Sequence, residues 1–334
     1  MQDLREFWSS QTFVVDTNGD GVPDDTRLAI AGVSDFCTPV GLIDFTARLG
    51  LETSGLSFLL FNQSEQTAFW TLKVELAEID YAECRLYETE QTVTVVGKNE
   101  KALNDCLRWF SAAWPQTLPL DCPVEAVVTI EFVPEHYRVT DQNGKTSDWY
   151  QVKLASPREC EPSQHTFKSL TDLWTTSGFY QSGRVDLNSQ CHVGFQFRTQ
   201  PTPSLLEKAC QLSARIGLHS TGMQFPLTES PNHPELNFII RTLEDKTNAT
   251  MTYQKDELTQ TVDLLIEGNV KAVTQGLSYL ASAKPYEEGG SFGLWEVMEQ
   301  DVKEEPLLLE TSWEDIGEKE RLLKTIDDWA KDMK

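Results

Sequence analysis

The residues of this chain best equipped for chemistry lie between positions 16 and 24, in the order Asp16-x-Asn18-x-Asp20-Gly21-x-x-Asp24. Oxygen side chains at alternate positions curl round a hard cation, Gly21 takes the turn, the Val22 carbonyl supplies a further oxygen and Asp24 closes the loop. Three carboxylates held this close repel one another unless a cation offsets their charge. The spacing therefore names Asp16, Asn18, Asp20, Val22 and Asp24 as ligands of one Ca2+ ion. The same residues also satisfy an Asx-rich turn that binds no metal.

Little else in the sequence has the spacing of a reaction centre. The five His residues (136, 165, 192, 219 and 233) are dispersed, with no paired-ligand spacing. No nucleophile elbow, phosphate loop or dinucleotide fingerprint is present. Cys191 and His192 are neighbours in sequence, but nothing in the pattern singles them out as a nucleophile and its base. The catalytic residues, if any, are unknown from sequence.

The chain has 334 residues and a formal net charge of -24. Such acidity argues against a nucleic-acid backbone or an anionic membrane as partner, since both are polyanions. No apolar run approaches the ~20 residues that span a bilayer. The charged start and the seven scattered cysteines without a CxxC pair read as reduced thiols in a cytoplasmic setting. An occupied calcium loop would instead imply an extracellular one.

The elements that must position the loop repeat along the chain. Ala47-Arg48-Leu49-Gly50-Leu51 returns as Ala214-Arg215-Ile216-Gly217-Leu218, with a second Gly (55 and 222) and a Phe (58 and 225) in register. This is the mark of a tandem duplication. Each copy reads as strands, a helix, further strands and a closing helix. The first helix ends at Gly50, and its partner opens with a capping box at Ser204 and Glu207. The closing helices start at the N-caps Asn99 and Asn269 and stop before Pro115 and Pro285. Strands are expected at 13–15 and 27–30 around the acidic loop, at 55–61, 69–76, 84–87 and 91–97, and at 223–227, 236–240, 250–253 and 261–268. A long hairpin, 124–132 with 149–154 and an Asn143-Gly144 turn, either extends the first sheet or bridges the copies. Trp8 and Trp174 read as core anchors.

The expected fold class is α+β: two duplicated mixed α/β layer-sandwich domains, an intervening β-hairpin and a C-terminal amphipathic helix. The first domain spans 1–155 with the acidic loop and the hairpin, a linker 156–167, the second domain 168–293, and an acidic tail with the helix 294–334. Trp313 and Trp329 lie near one face of that helix and are the candidate partner-binding residues.

The acidic loop resembles the Asp-rich calcium loops of dockerins, thrombospondin type 3 repeats and integrin-like propeller repeats, the last because strands flank it. Against an EF-hand, position twelve is Arg27 where a bidentate Glu belongs, so binding is expected on the order of 10⁻⁴–10⁻³ M. The second copy carries Arg184-Val185-Asp186-Leu187-Asn188-Ser189 at that place, so one site is expected. The strand, then Val96-Gly97-Lys98-Asn99-Glu100 or Ile266-Glu267-Gly268-Asn269, then a helix ending before Pro, resembles the small α+β auxiliary domains that precede the catalytic domain of some bacterial hydrolases, zinc carboxypeptidases among them. That resemblance implies a non-catalytic accessory region that positions substrate or a partner. Two other readings stand beside it: a binding module that docks a partner through its C-terminal helix, and an enzyme with a site between the copies.

Overall fold

Gly, Asp and Asn between two short apolar runs make a hairpin, and the first strands among the described residues form one. Strand β1 (Val14–Val15) pairs antiparallel with β2 (Asp25–Thr26). The strand facing β1 is therefore 25–26 rather than 27–30. Beyond Thr26 the chain leaves the hairpin, and β3 (Leu28–Ala31) enters a different sheet. The computed structural model describes residues 8, 12–55, 60–61, 70–79, 82–87, 91–112, 127–133, 136–140, 144–150, 191, 193–218, 220, 222–228, 236–246, 249–255, 262–282 and 307–310.

Helix α1 (Leu42–Leu51) is the crossover that lets β3 lie parallel to β4 (Trp70–Leu76). Strand β5 (Ala82–Tyr87) turns back antiparallel to β6 (Thr92–Gly97), a β-branched run that slots in beside β4. Helix α2 (Glu100–Ala112) then packs on β4, β5 and β6 and against α1. Asn99 caps it, its Oδ1 accepting the Ala102 N–H at 2.9 Å. The expected hairpin is a three-stranded extension: β7 (Val127–Val133), β8 (His136–Thr140) and β9 (Thr146–Tyr150). It continues the first sheet, whose seven described strands run β3-β4-β6-β5-β7-β8-β9.

The second half uses the same order. Strand β10 (Val193–Phe197), helix α3 (Pro203–Leu218), β11 (Leu236–Thr242), β12 (Thr250–Lys255), β13 (Val262–Gly268) and helix α4 (Val270–Ser282) follow in turn. Strands β10, β11 and β13 are parallel and β12 is antiparallel to β13, as β3, β4, β6 and β5 are in the first half. Asn269 caps α4 as Asn99 caps α2, its Oδ1 accepting the Ala272 N–H at 2.8 Å. Helix α3 starts one residue before the proposed cap Ser204. The hydroxyl nearest an open N–H is that of Thr202, 3.4 Å from Leu205 N.

Two further strand expectations change. Residues 223–227 make only isolated bridges, Met223 to Cys191 and the adjoining Thr228 to Phe195, because Pro226 has no N–H to continue a ladder. Part of the tail is instead a strand: β14 (Leu307–Glu310) pairs antiparallel with β12, so the second sheet runs β10-β11-β13-β12-β14. The linker 156–167, residues 56–59 of the strand expected at 55–61, Trp174, and Trp313 and Trp329 with the proposed terminal helix lie outside the described residues.

The halves meet through α1 and α3, and here the repeated Ala-Arg-x-Gly-Leu sequence shows its use. Gly50 lies within α1 rather than ending it. A Cβ on Gly50 would sit 1.9 Å from the Ala214 carbonyl oxygen, and one on Gly217 would sit 2.1 Å from the Ala47 oxygen. The reciprocity places a local two-fold axis between the helices. Near it the hydroxyls of Thr46 and Ser213, 167 residues apart, lie 2.8 Å from each other. Glycine is required because backbone meets backbone there, at a distance no side chain allows.

Every residue from Leu42 to Gly50 is buried. The apolar residues of both halves form one continuous core, with Leu72, Val95, Leu206, Phe238 and Ile266 among its members. Trp8 anchors the first half as expected, its ring 5.2 Å from Phe45 and 5.6 Å from Phe110, with the buried Arg48 guanidinium 5.5 Å over it. No helix among the described residues is long and apolar enough to cross a membrane.

Candidate functional site

The acidic loop stands out from the core on the β1–β2 stem. Its base is pinned: the Pro23 carbonyl accepts the Ser54 N–H at 2.8 Å and the Ser54 hydroxyl at 3.0 Å, both from the segment just past α1. Within the loop, Asp16 Oδ1 accepts the Gly19 N–H and Oδ2 the Gly21 N–H, each at 2.7 Å. Asn18 Oδ1 accepts the Asp20 N–H, and Asp20 Oδ1 the Val22 N–H. Gly19 and Gly21 take positive φ values of 79° and 89°, which lets the chain curl tightly enough for these bonds. Asp24 closes the loop by accepting the Thr17 N–H at 2.9 Å and the Thr17 hydroxyl at 2.8 Å. Those two bonds, the backbone one foremost, hold its carboxyl below the ordinary value.

The five predicted ligands therefore share one exposed loop, with the Val22 side chain 52 % exposed. Among the described residues no three His, Cys, Asp or Glu side chains gather as a metal-holding group. The chemistry of the donor set nevertheless fits a hard cation: three carboxylates, an amide oxygen and a backbone carbonyl. A carboxylate oxygen that accepts one N–H keeps a lone pair for a metal. Asp16, Asn18, Asp20, Asp24 and the Val22 carbonyl would hold the ion, and Asp24 would have to share its oxygens between metal and Thr17.

A second polar constellation escaped the sequence reading. Asp44, on the wholly buried α1, reaches across to the second half. Its Oδ1 accepts the Leu227 N–H at 2.5 Å and its Oδ2 accepts the Thr228 hydroxyl. Arg108 on α2 completes the group, with Nε 2.9 Å from Thr228 Oγ1 and 3.9 Å from Asp44 Oδ2. Burial pushes the Asp44 carboxyl up to about 6, against the lowering pull of Arg108 and of the bonds from Thr228 and Leu227. An aspartate among Leu42, Phe45 and Leu49 was the available signal, since a charge on a buried helix needs a partner. Nothing local said that the partner lay more than 180 residues on. Asp44 is fully enclosed and joins the halves.

The cysteines among the described residues, Cys37, Cys106, Cys191 and Cys210, are free and buried. Burial raises the Cys37 thiol to about 11 and holds that of Cys210 higher still, so neither is an activated thiolate. His192 and His219 lie outside the described residues.

No protein-family model matches this chain, and no curated protein matches it.

Proposed function

We propose that this chain is a non-catalytic recognition region that works beside a hydrolase, positioning its substrate or a partner, and that one hairpin of it is stiffened by Ca2+. The observation that carries the reading is the acidic loop: hard oxygen donors on an exposed hairpin whose base is pinned to the segment just past α1. A loop of this kind is a device for ordering surface without chemistry of its own. The link to a hydrolase draws on the resemblance of the helix-closing segments to auxiliary domains. We also propose that the halves arose by tandem duplication. Supporting this are their common strand order and the reciprocal contacts of Gly50 and Gly217.

A thermal melt in EDTA and in millimolar Ca2+ tests the metal. Ligand that binds only the folded state raises its stability by mass action. The expected result is a rise in Tm of a few degrees in Ca2+, absent in the Asp16→Ala/Asp20→Ala variant. A positive result would also favour a calcium-rich compartment. An unchanged Tm at every calcium level, or an equal rise in the variant, would remove calcium from the proposal.

A further inference from the structure

A cleft of about 460 Å³ opens between the halves, within the ~300–1,000 Å³ of small-molecule sites. One wall is the carboxyl end of β3 and the turn after it, Ile30 to Val33, with Phe61 beside it. The other is the first two turns of α3, with Pro203, Ser204 and Glu207. Crevices at the carboxyl ends of parallel strands are where open α/β sheets bind ligands, and junctions between packed units are a second preferred place. This cleft is both.

Its chemistry is one-sided. Ile30, Val33, Phe61 and Pro203 present apolar surface, and among the described residues the charge in the lining is Glu207. That carboxylate is half committed. Its Oε1 accepts Lys208 Nζ at 3.1 Å and Gln211 Nε2 at 3.2 Å, while Oε2 takes no bond from a described residue. Lys208 offsets part of that carboxylate's charge, the other oxygen keeps its lone pairs for a second ammonium, and a protein of net charge -24 raises the local concentration of cations and repels anions. The start of α3 would pull the other way, toward an anion, but Glu207 in its second turn opposes that pull.

We propose that this cleft binds a small aromatic amine, with the apolar body against Phe61 and Val33 and the ammonium group on Glu207. The inference supplies the ligand class for the recognition role proposed above. It uses none of the calcium-loop residues, so the two tests fail separately.

The probe is benzylammonium, followed by ligand-observed saturation-transfer NMR on the full chain, with phenylacetate as the anionic counterpart. The expected result is saturable binding of benzylammonium and none of phenylacetate. Glu207→Gln should weaken binding at least tenfold without lowering Tm, and Val33→Trp should abolish it by filling the cleft. Asp148→Asn, which removes one charge from the far edge of the first sheet, should leave it unchanged. Equal binding by Glu207→Gln, binding of phenylacetate as tight as that of the amine, or no binding of benzylammonium would each overturn the proposal. Glu207→Gln settles the matter even if Val33→Trp fails to fold.

Discussion

Gly50→Ala should destabilise the protein by about 3 kcal/mol, at the upper end of what overpacking costs, although it adds one methyl group to a helix that otherwise favours alanine. The new Cβ would fall 1.9 Å from the Ala214 carbonyl oxygen. No rotamer change relieves that, because both atoms belong to helical backbone, so α1 and α3 must move apart. Separation would loosen the packing of a helix buried from Leu42 to Gly50 and lengthen the contact between the Thr46 and Ser213 hydroxyls. At roughly 2 °C per kcal/mol for a protein of this size, Tm should fall by about 6 °C. Gly217→Ala should behave alike, since its Cβ would lie 2.1 Å from the Ala47 oxygen. The double variant should cost less than the two together, because helices already parted by one methyl accept the second more easily. Additive losses in urea melts of the three variants would show that the two contacts are independent and that the symmetric crossing is not one packing unit.

Asp44→Ala should cost more, about 3–5 kcal/mol, as expected when one partner of a buried ion pair is removed. The Leu227 N–H and the Thr228 hydroxyl would lose their acceptor, and Arg108 the opposite charge beside it, in a place that water does not reach. Asp44→Asn keeps an oxygen for Leu227 and should lose less. The same variant isolates a pH effect with a definite sign. The folded Asp44 carboxyl lies at about 6 and the ordinary value is 3.8. The folded state therefore holds a proton between those values that the unfolded state has released. This contribution is fully present below about pH 3.8 and is lost as the pH rises through about 6. At ~1.4 kcal/mol per pKa unit it amounts to about 3 kcal/mol. In the difference between wild type and Asp44→Asn, the stability of wild type should fall relative to the variant from pH 4 to pH 7. A flat difference across that window would mean that Asp44 is no easier to protonate in the fold than in the unfolded chain.

What the sequence determined by itself was local. Asn99 and Asn269 announced helix starts because a cap is a contact between a side chain and an N–H three residues on. The run Thr92 to Val96 declared a strand through its own β-branched side chains. The acidic loop was legible for the same reason, since its donors lie within nine residues of each other and bond chiefly to their own turn. The repeat was also visible, but its purpose was not. Gly50 carries the ordinary signal of a helix end, and only the approach of Ala214 makes it a crossing point.

The tertiary structure decided everything that depends on partners far apart in the chain. Asp44 reads as one polar residue on a helix until Leu227 and Thr228 arrive 183 and 184 residues later. Leu307 to Glu310 reads as an apolar interruption in an acidic tail until β12 offers it an open edge. The cleft is formed by residues near 30 and residues near 205, and no periodicity connects them. Side-chain spacing specifies which elements form, because helix and strand bonds are short-range. Which buried charge meets which hydroxyl is set by how two finished halves pack, and that information is carried by shape.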